Sequence, residues 1–243
     1  MVVKKIKEGN AATAEATCLN EITRFDIIEA YKAIRTNVIY SLVGEDSKII
    51  CLSSPSPNDG KTTTCVNLAI TFGQTGAKVL IIDGDLRKPS VHRNFKLINE
   101  PGLTNALGGF CSLRDAIRKT GHDNLDVLTS GHVPPNPAEL LASDEMRKLI
   151  EKIKSDYEYI FIDAPPVNSV TDVAVLSGMV SGIVLVVRHR VSTFDEINGA
   201  LEKLALVNAK ILGFIMNDVS DKMKRKKYYR YTNYYAYKNK TDE

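Results

Sequence analysis

The sequence predicts an α/β fold in which a parallel central sheet is flanked by helices on both faces. Short aliphatic runs alternate along the chain with segments of helical periodicity, and turn-forming residues follow each run. Polar motifs occur just after several of these runs, where parallel sheets bind their ligands. With 243 residues, 44% of them hydrophobic, the chain is long enough for one large domain around a single core.

The elements are predicted in order from their periodicity. Ile27, Tyr31, Ile34 and Val38 recur at helical spacing and indicate an amphipathic helix from about residue 22 to residue 43. The aliphatic runs predict strands at 49–52, 79–82, 125–128, 159–162, 183–187 and 211–216. Helices are expected at 61–75, 112–120, 143–156, 170–180 and 195–207. Helical connections of this kind make successive strands parallel.

Composition divides the chain into three parts. Residues 1–21 lack periodicity and are expected to be a flexible lead-in, 22–221 form the domain, and 222–243 form a flexible basic tail. The tail has eight Lys or Arg and two acidic residues, so its charge is +6, whereas the whole chain has a net charge of +3. The body is therefore acidic, which argues against nucleic-acid binding. The basic tail suits an anionic membrane surface or an acidic partner, or is only a solubilising segment.

Two absences bear on location. The four cysteines show neither C-x-x-C pairing nor zinc spacing, which is typical of buried thiols in a reducing compartment. The sequence has no signal peptide and no run of about 18 apolar residues. We therefore expect a cytoplasmic protein that meets a membrane only through a partner.

The first chemical motif is Gly60-Lys61-Thr62, which lies between a predicted strand and a predicted helix. It matches the end of a Walker A phosphate loop, although Pro55 replaces the first glycine of the strict pattern. Lys61 is expected to reach the β- and γ-phosphates of ATP, and the Thr62 hydroxyl to ligate Mg²⁺. The motif predicts a P-loop NTPase fold with this nucleotide-binding loop: Asn58, Asp59, Gly60, Lys61, Thr62 and Thr63.

Carboxylates follow two other predicted strands. Asp83 and Asp85 come after the run at 79–82, and because they are two residues apart in an extended segment they share a face. Asp163 ends the run at 159–162, as the aspartate of a Walker B motif does. We expect Thr62, Asp85 and Asp163 to bind Mg²⁺, and Asp83 to take the proton from an incoming hydroxyl. A single pair of turn aspartates would be unremarkable, but three at strand ends beside a phosphate loop indicate a catalytic site.

The tail is also the most tyrosine-rich part of the chain. Polar residues separate its aromatics and almost no aliphatic residue accompanies them, so core packing does not explain the cluster. Beside a phosphate loop, its hydroxyls are candidate phosphate acceptors. They belong to Tyr228, Tyr229, Tyr231, Tyr234, Tyr235 and Tyr237.

In combination these motifs resemble the bacterial tyrosine kinases (BY-kinases) of capsule and exopolysaccharide synthesis. Residues 83–89 resemble the Walker A′ motif of that family, with Arg87 among its catalytic residues, and residues 163–166 resemble its Walker B motif. Residues 131–141 are similar to its Gly-x-x-Pro-Pro-Asn-Pro segment, and the likeness extends over about residues 22 to 237. Glu29, Lys32 and Arg35 resemble its oligomerisation motif Glu-x-x-Arg-x-x-Arg, with lysine at the middle position. Asn58 stands where the family usually has glycine.

The resemblance implies a function, cofactors and partners. It implies a Mg·ATP-dependent autokinase that phosphorylates its own tail in trans, forms a ring-like homo-oligomer and regulates polysaccharide synthesis and export. It also implies a separate transmembrane activator that recruits the kinase to the inner face of the membrane, with polysaccharide-synthesis enzymes as further substrates. Asn217, which follows the last strand, is expected to contact adenine, as in related P-loop proteins.

Two alternatives stay open from the sequence. Partition and septum-positioning ATPases share the predicted fold, but they have a signature lysine where this chain has Ser56, and they lack a tyrosine cluster. A non-catalytic ATP-binding assembly regulator is the other alternative, against which the intact Asp83, Asp85 and Asp163 weigh. ATP-dependent incorporation of phosphate into tyrosine would distinguish the kinase from that regulator.

Overall fold

Strands and helices alternate to build one seven-stranded sheet in the order β3-β4-β2-β5-β1-β6-β7. The structure is a computed structural model that describes residues 18–20, 23–45 and 47–219. Neighbouring strands are parallel across the sheet from β4 to β7, and β3 pairs antiparallel with β4 at one edge. The predicted fold class and all six predicted strands are therefore confirmed.

The elements have the following bounds in chain order. The strands are β1 Ile49–Ser53, β2 Val79–Asp83, β3 Ile117–Lys119, β4 Leu125–Leu128, β5 Tyr159–Asp163, β6 Gly182–Arg188 and β7 Ile211–Asn217. The helices are α1 Phe25–Ser41, α2 Lys61–Gly73, α3 Val91–Asn94, α4 Leu103–Leu107, α5 Leu113–Ala116, α6 Pro137–Ala142, α7 Asp144–Ile153, α8 Asp172–Leu176 and α9 Phe194–Leu206.

The helix predicted at 112–120 is wrong over its second half. The Ser112 side chain caps a single helical turn, α5, and the chain then becomes strand β3. Ile117 pairs with Leu128, and the Lys119 ammonium lies 3.0 Å from the Asp126 carboxylate. Antiparallel pairing with β4 outweighs the helical preference of the segment. Helices α3, α4 and α6 were not predicted, because four to six residues are too short to show a period.

Strands β1, β2 and β5 are buried along their whole length, which is why their sequences are continuous aliphatic runs. One core lies between the sheet and helices α1 and α2, where Phe72 packs 5.1 Å from the Phe161 ring and 4.5 Å from the Tyr159 ring. A second core holds side chains of α7, α8 and α9. Two separate cores agree with a sheet that is covered on both faces.

Helix α1 buries the four residues that predicted it and packs against α2. The Arg35 guanidinium donates a hydrogen bond to the carbonyl of Thr71, in the last turn of α2. Leu19, upstream of the expected start of the domain at residue 22, is 4% exposed, and its N–H group donates to the Asn67 side chain at 2.8 Å. The core therefore includes a residue of the segment that was expected to be a flexible lead-in.

The parallel register brings the chemical motifs together. Asp163 pairs with Leu52 on one side and with Asp83 on the other, so the carboxyl ends of β1, β2 and β5 are adjacent. The loop after β1 is the phosphate loop, and the loop after β2 carries Asp85 and Arg87. Within the described part of the chain, no helix combines the length and the apolarity that a membrane span requires.

We expect Leu19→Ala to lower the free energy of unfolding by about 2 kcal/mol or more, because the change leaves a cavity in the core beside α2. Val43→Ala, at a side chain that is 76% exposed, should stay within about 0.5 kcal/mol of the parent. Urea denaturation of both variants measures this. Equal midpoints for the two variants would show that burial of the Leu19 side chain contributes nothing to stability.

Candidate active site

The phosphate loop joins β1 to α2 through two residues in the left-handed backbone region. Asn58 has φ of 66° and Gly60 has φ of 92°. Asparagine tolerates this region better than most residues, which accounts for its presence at position 58. A Cβ atom at Gly60 would lie 2.1 Å from the Asn217 amide nitrogen, so this position requires glycine. Helix α2 then begins at Lys61 without a side-chain cap, which leaves its first N–H groups available to phosphate oxygens.

Contacts from distant segments hold the loop in shape. Asp59 accepts hydrogen bonds from the Ser56 N–H at 3.2 Å and from the Ser192 hydroxyl at 2.9 Å. The Ser56 hydroxyl donates to Glu196 at 2.7 Å, and the Asn217 amide donates to the Asp59 carbonyl at 2.9 Å. Asn217, which was expected at adenine, therefore braces the loop in this structure. Sequence analysis missed Ser192 and Glu196, since nothing local distinguishes them from ordinary residues at a helix start.

Lys61 lies among the carboxylates that follow β2 and β5. Its ammonium is 2.9 Å from Asp85 and 3.6 Å from Asp163, and the Thr62 hydroxyl donates to Asp163 at 2.6 Å. Burial alone would lower the pKa of Lys61, but the charges of Asp163 and Asp85 outweigh it and hold that pKa above its usual range. The lysine is therefore a fixed cation that faces buried anions.

Asp83 is fully buried, as is Asp163. One of its oxygens accepts the N–H groups of Ser90 and Val91, each at 3.0 Å, and the other has no hydrogen-bond partner among the described residues. Burial first, and then the neighbouring charge of Asp163, raise the pKa of Asp83 to about 8. Burial also raises the pKa of Asp163, against the opposing effects of Lys61 and Thr62. Asp83 does not contribute to the lining of the cavity described next.

A cavity of about 400 Å³ opens above the phosphate loop. The loop, the segment after β2 and the segment after β5 line it. Its lining residues are Pro57, Asn58, Gly60, Lys61, Thr62, Thr63, Asp85, Arg87, Lys88, Ser90, Pro165, Pro166, Ser169 and Val170. At its edge Arg87 makes two hydrogen bonds, each 3.1 Å long, to Asp172, a buried residue that sequence analysis did not single out.

The donor set fits Mg²⁺ bound together with a nucleotide. In the described part of the chain, no three His, Cys, Asp or Glu side chains are close enough to hold a metal ion by themselves. Mg²⁺ commonly uses one or two carboxylates, with phosphate oxygens and water completing its octahedral shell. Asp163 has one buried oxygen without a hydrogen-bond partner in this part of the chain, and its other oxygen is beside the Thr62 hydroxyl. These atoms can accommodate such an ion.

The remaining predicted residues are placed as follows. Glu29 and Lys32 pair with each other at 2.9 Å on the exposed side of α1, and both keep nearly half of their side-chain surface exposed. Arg35 is directed instead toward α2. The six tail tyrosines lie outside the described residues.

The fold and the loop geometry define a P-loop nucleotide-binding protein. A protein-family model described as an AAA domain matches residues 47–210. The chain is 42% identical to the tyrosine-protein kinase YwqD of Bacillus subtilis over 189 residues, which cover 78% of this chain and 80% of YwqD. It is 38% identical to the tyrosine-protein kinase CpsD of Streptococcus agalactiae, over 79% of this chain and 84% of that protein.

Solved structures agree with the sequence relatives. The chimerical protein CapA2B2 superimposes with a TM-score of 0.82 at 34% identity, covering 90% of this chain and 93% of the chimera. The septum site-determining protein MinD of Pyrococcus horikoshii, solved with Mg-ADP, gives 0.60 at 27% identity over 70% of each chain. The chain belongs to the family of bacterial tyrosine-protein kinases, and MinD is a more distant structural neighbour with the same fold.

The burial of Asp83 predicts a pH dependence of stability. Between about pH 4 and pH 8 the folded protein retains a proton that the unfolded chain releases, so stability falls as pH rises through this window. Asp83→Asn removes this titration and keeps an oxygen for the Ser90 and Val91 N–H groups. In Mg²⁺-free buffer, the stability of the variant relative to the parent should increase by about 1 kcal/mol or more from pH 5 to pH 8. Urea unfolding at both pH values tests this, and a difference that does not change with pH would contradict it.

Proposed function

We propose that this kinase transfers the γ-phosphoryl group of ATP to the tyrosines of its own C-terminal segment, one molecule acting on another. The supporting observation is the convergence of Lys61, Asp83, Asp85 and Asp163 beside a phosphate loop, in a chain that ends with a tyrosine cluster. The resemblance to capsule and exopolysaccharide kinases assigns this reaction to the control of polysaccharide synthesis and export.

The phosphate loop holds the nucleotide. The N–H groups of residues 58–60 and of the start of α2 bind phosphate oxygens. Lys61, which pairs with Asp85 in this structure, then turns to the phosphates and neutralises their negative charge. The side-chain amide nitrogen of Asn217 donates to the Asp59 carbonyl of the phosphate loop. Asn217 is thereby held in place beside the loop, where it forms part of the surface that adenine contacts. The nucleotide therefore binds to a surface that forms without large rearrangement.

Thr62, Asp85 and Asp163 would hold the metal. When bound, Mg²⁺ neutralises the negative charge on the phosphates and fixes their orientation. Asp85 is already immobilised, since one oxygen accepts the Lys88 N–H at 3.1 Å and the other faces Lys61. These residues need little side-chain rearrangement to hold the ion, which favours catalysis.

Asp83 accepts the proton of the tyrosine hydroxyl. A general base works best when its pKa is near the operating pH, and burial raises the pKa of Asp83 to about 8. Because the carboxyl is fully buried and outside the cavity lining, contact with an incoming hydroxyl requires a local rearrangement of the site. Arg87, at the edge of the cavity, provides positive charge toward the transferred group.

The tail suits this site electrostatically. It carries an excess of six positive charges, and the body that contains the aspartate cluster is net acidic. The acceptors are Tyr228, Tyr229, Tyr231, Tyr234, Tyr235 and Tyr237. Attraction between a basic tail and an acidic site favours delivery of a tyrosine by a neighbouring molecule.

The partners follow from the same resemblance. Glu29, Lys32 and Arg35 contribute to a ring-like homo-oligomer, and a transmembrane activator recruits the kinase to the inner face of the cell membrane. Polysaccharide-synthesis enzymes are further substrates. The exposed Glu29–Lys32 pair supports the first of these points, because it presents both charges to a neighbouring molecule.

We expect Lys61→Met to abolish tail phosphorylation, since it removes the cation at the phosphates. Lys78→Met, which changes an exposed lysine outside the site, should leave phosphorylation unchanged. Purified proteins, produced without another tyrosine kinase, are incubated with Mg·ATP and their tail peptides are analysed by mass spectrometry. Undiminished phosphotyrosine in Lys61→Met would refute the assignment of the site.

A charge swap tests the assembly surface. Glu29→Lys combined with Lys32→Glu retains an ion pair within α1 and does not change Arg35, which contacts the Thr71 carbonyl of α2. The fold should therefore be preserved. A neighbouring subunit, however, would meet the charges in reverse order. We expect light scattering to show smaller species than the parent forms at equal concentration. An unchanged mass for the swapped variant, where the parent is oligomeric, would exclude this pair from the interface.

A further inference from the structure

A buried carboxylate next to the site has no part in the chemistry described so far. Asp172, the first residue of α8, has no exposed side-chain surface. Its Oδ2 accepts a hydrogen bond from Arg87 Nε and its Oδ1 accepts one from Arg87 Nη2, each at 3.1 Å. A buried carboxylate requires such a partner, because an unpaired charge away from water is strongly unfavourable.

The two partners of this pair differ in their access to the site. Arg87 keeps 40% of its side-chain surface exposed and lines the cavity beside Lys88. A guanidinium has five N–H donors in one plane, and Asp172 accepts from two of them. No other acceptor for Arg87 is found among residues 18–20, 23–45 and 47–219. The pair thus fixes the plane of the guanidinium and leaves three donors uncommitted at the edge of the cavity.

The backbone that carries Arg87 is also fixed. The Gly84 N–H donates to the Asp163 carbonyl at 2.8 Å, and a Cβ atom at Gly84 would lie 2.9 Å from the Ile162 side chain. Asp85 accepts the N–H of Lys88 and closes the turn. Arg87 therefore extends from a rigid loop and ends on a rigid carboxylate, as is expected of a preorganised charge.

We infer that Asp172 is a positioning residue that orients Arg87 toward the phosphoryl group during its transfer to tyrosine; this rests on the proposed function. In that transfer the bond from the γ-phosphorus to the β–γ bridging oxygen breaks, and a bond from the tyrosine oxygen to the same phosphorus forms. The phenol proton passes to Asp83. Negative charge spreads over the phosphoryl oxygens meanwhile, and the uncommitted donors of Arg87 stabilise it. Asp172 acts only through Arg87.

The test uses the full chain at a temperature well below its unfolding midpoint. Asp172→Asn keeps the shape of the side chain but loses the charge that orients the guanidinium. We expect kcat for tail phosphorylation at saturating ATP to fall about tenfold, with KM for ATP and the Kd for Mg·ADP changed less than about twofold. Binding of Mg·ADP also reports the fraction of folded molecules, so a folding defect would be seen and corrected for.

Arg87→Lys provides an independent variant, since lysine keeps the charge and loses the planar fork. We expect a similar fall in kcat. Because the two residues act as one unit, adding Asp172→Asn to Arg87→Lys should change kcat less than about twofold further. A full additional tenfold loss in the double variant would show that Asp172 does not act through Arg87, and would overturn the inference.

Asp126→Asn is the matched control. Asp126 is also a buried carboxylate with a cationic partner, Lys119, and a hydroxyl partner, Tyr157, but it is not part of the cavity lining. The Asp126→Asn substitution should lower the thermal midpoint of unfolding and leave kcat for tail phosphorylation unchanged. If Asp172→Asn behaves in the same way, or weakens only nucleotide binding, the inference is wrong and the pair merely joins two loops. A wild-type protein that leaves its tail unphosphorylated would overturn the proposed function as well.

Discussion

The active site depends on one electrostatic constraint, which is that Lys61 must balance several aspartates at adjacent strand ends. Asp83 and Asp163 are fully buried and Asp85 nearly so, and the Lys61 ammonium is within 3.6 Å of two of them. Carboxylates in such surroundings ionise reluctantly, which is why burial raises the pKa values of Asp83 and Asp163. The site thus gathers carboxylates around one lysine, and a bound divalent cation would favour their ionised forms.

The parallel sheet makes this arrangement unavoidable. The register that pairs Asp83 with Asp163 follows from the hydrophobic runs before them, since each run is buried along its length and ends in an aspartate. Once the runs are aligned, two carboxylates lie side by side whatever their chemical role. The phosphate loop enters from β1, the other neighbour of β5, and completes the site. The stability of the core therefore supplies the free energy that holds like charges together.

Local sequence patterns predict much of the fold and of the candidate site, but not all of either. The six parallel strands were predictable because they are short, mostly apolar runs. The residues of the phosphate loop were predictable because glycine, lysine and threonine have a fixed spacing. Strand β3 was not, since three residues adopt strand geometry only by pairing with β4. Asp172, Ser192 and Glu196 were missed for the same reason. Each acquires its role from a partner 85 to 140 residues away, and such a contact leaves no local pattern.

Helix α2 links the proposed assembly surface of α1 to the candidate nucleotide site. Its first turn forms the end of the phosphate loop, and its last turn is held at the Thr71 carbonyl by Arg35, one turn along α1 from Lys32. Arg35 therefore satisfies a carbonyl at a helix end that would otherwise lack an intrahelical partner. A neighbouring molecule that competed for the Arg35 guanidinium would have to release that carbonyl. A neighbour that bound only Glu29 and Lys32 would leave α2 undisturbed. The contact with α2 consequently gives the arginine a structural role whether or not it also meets another subunit, and the outward pair is the part of α1 that is free to serve assembly alone.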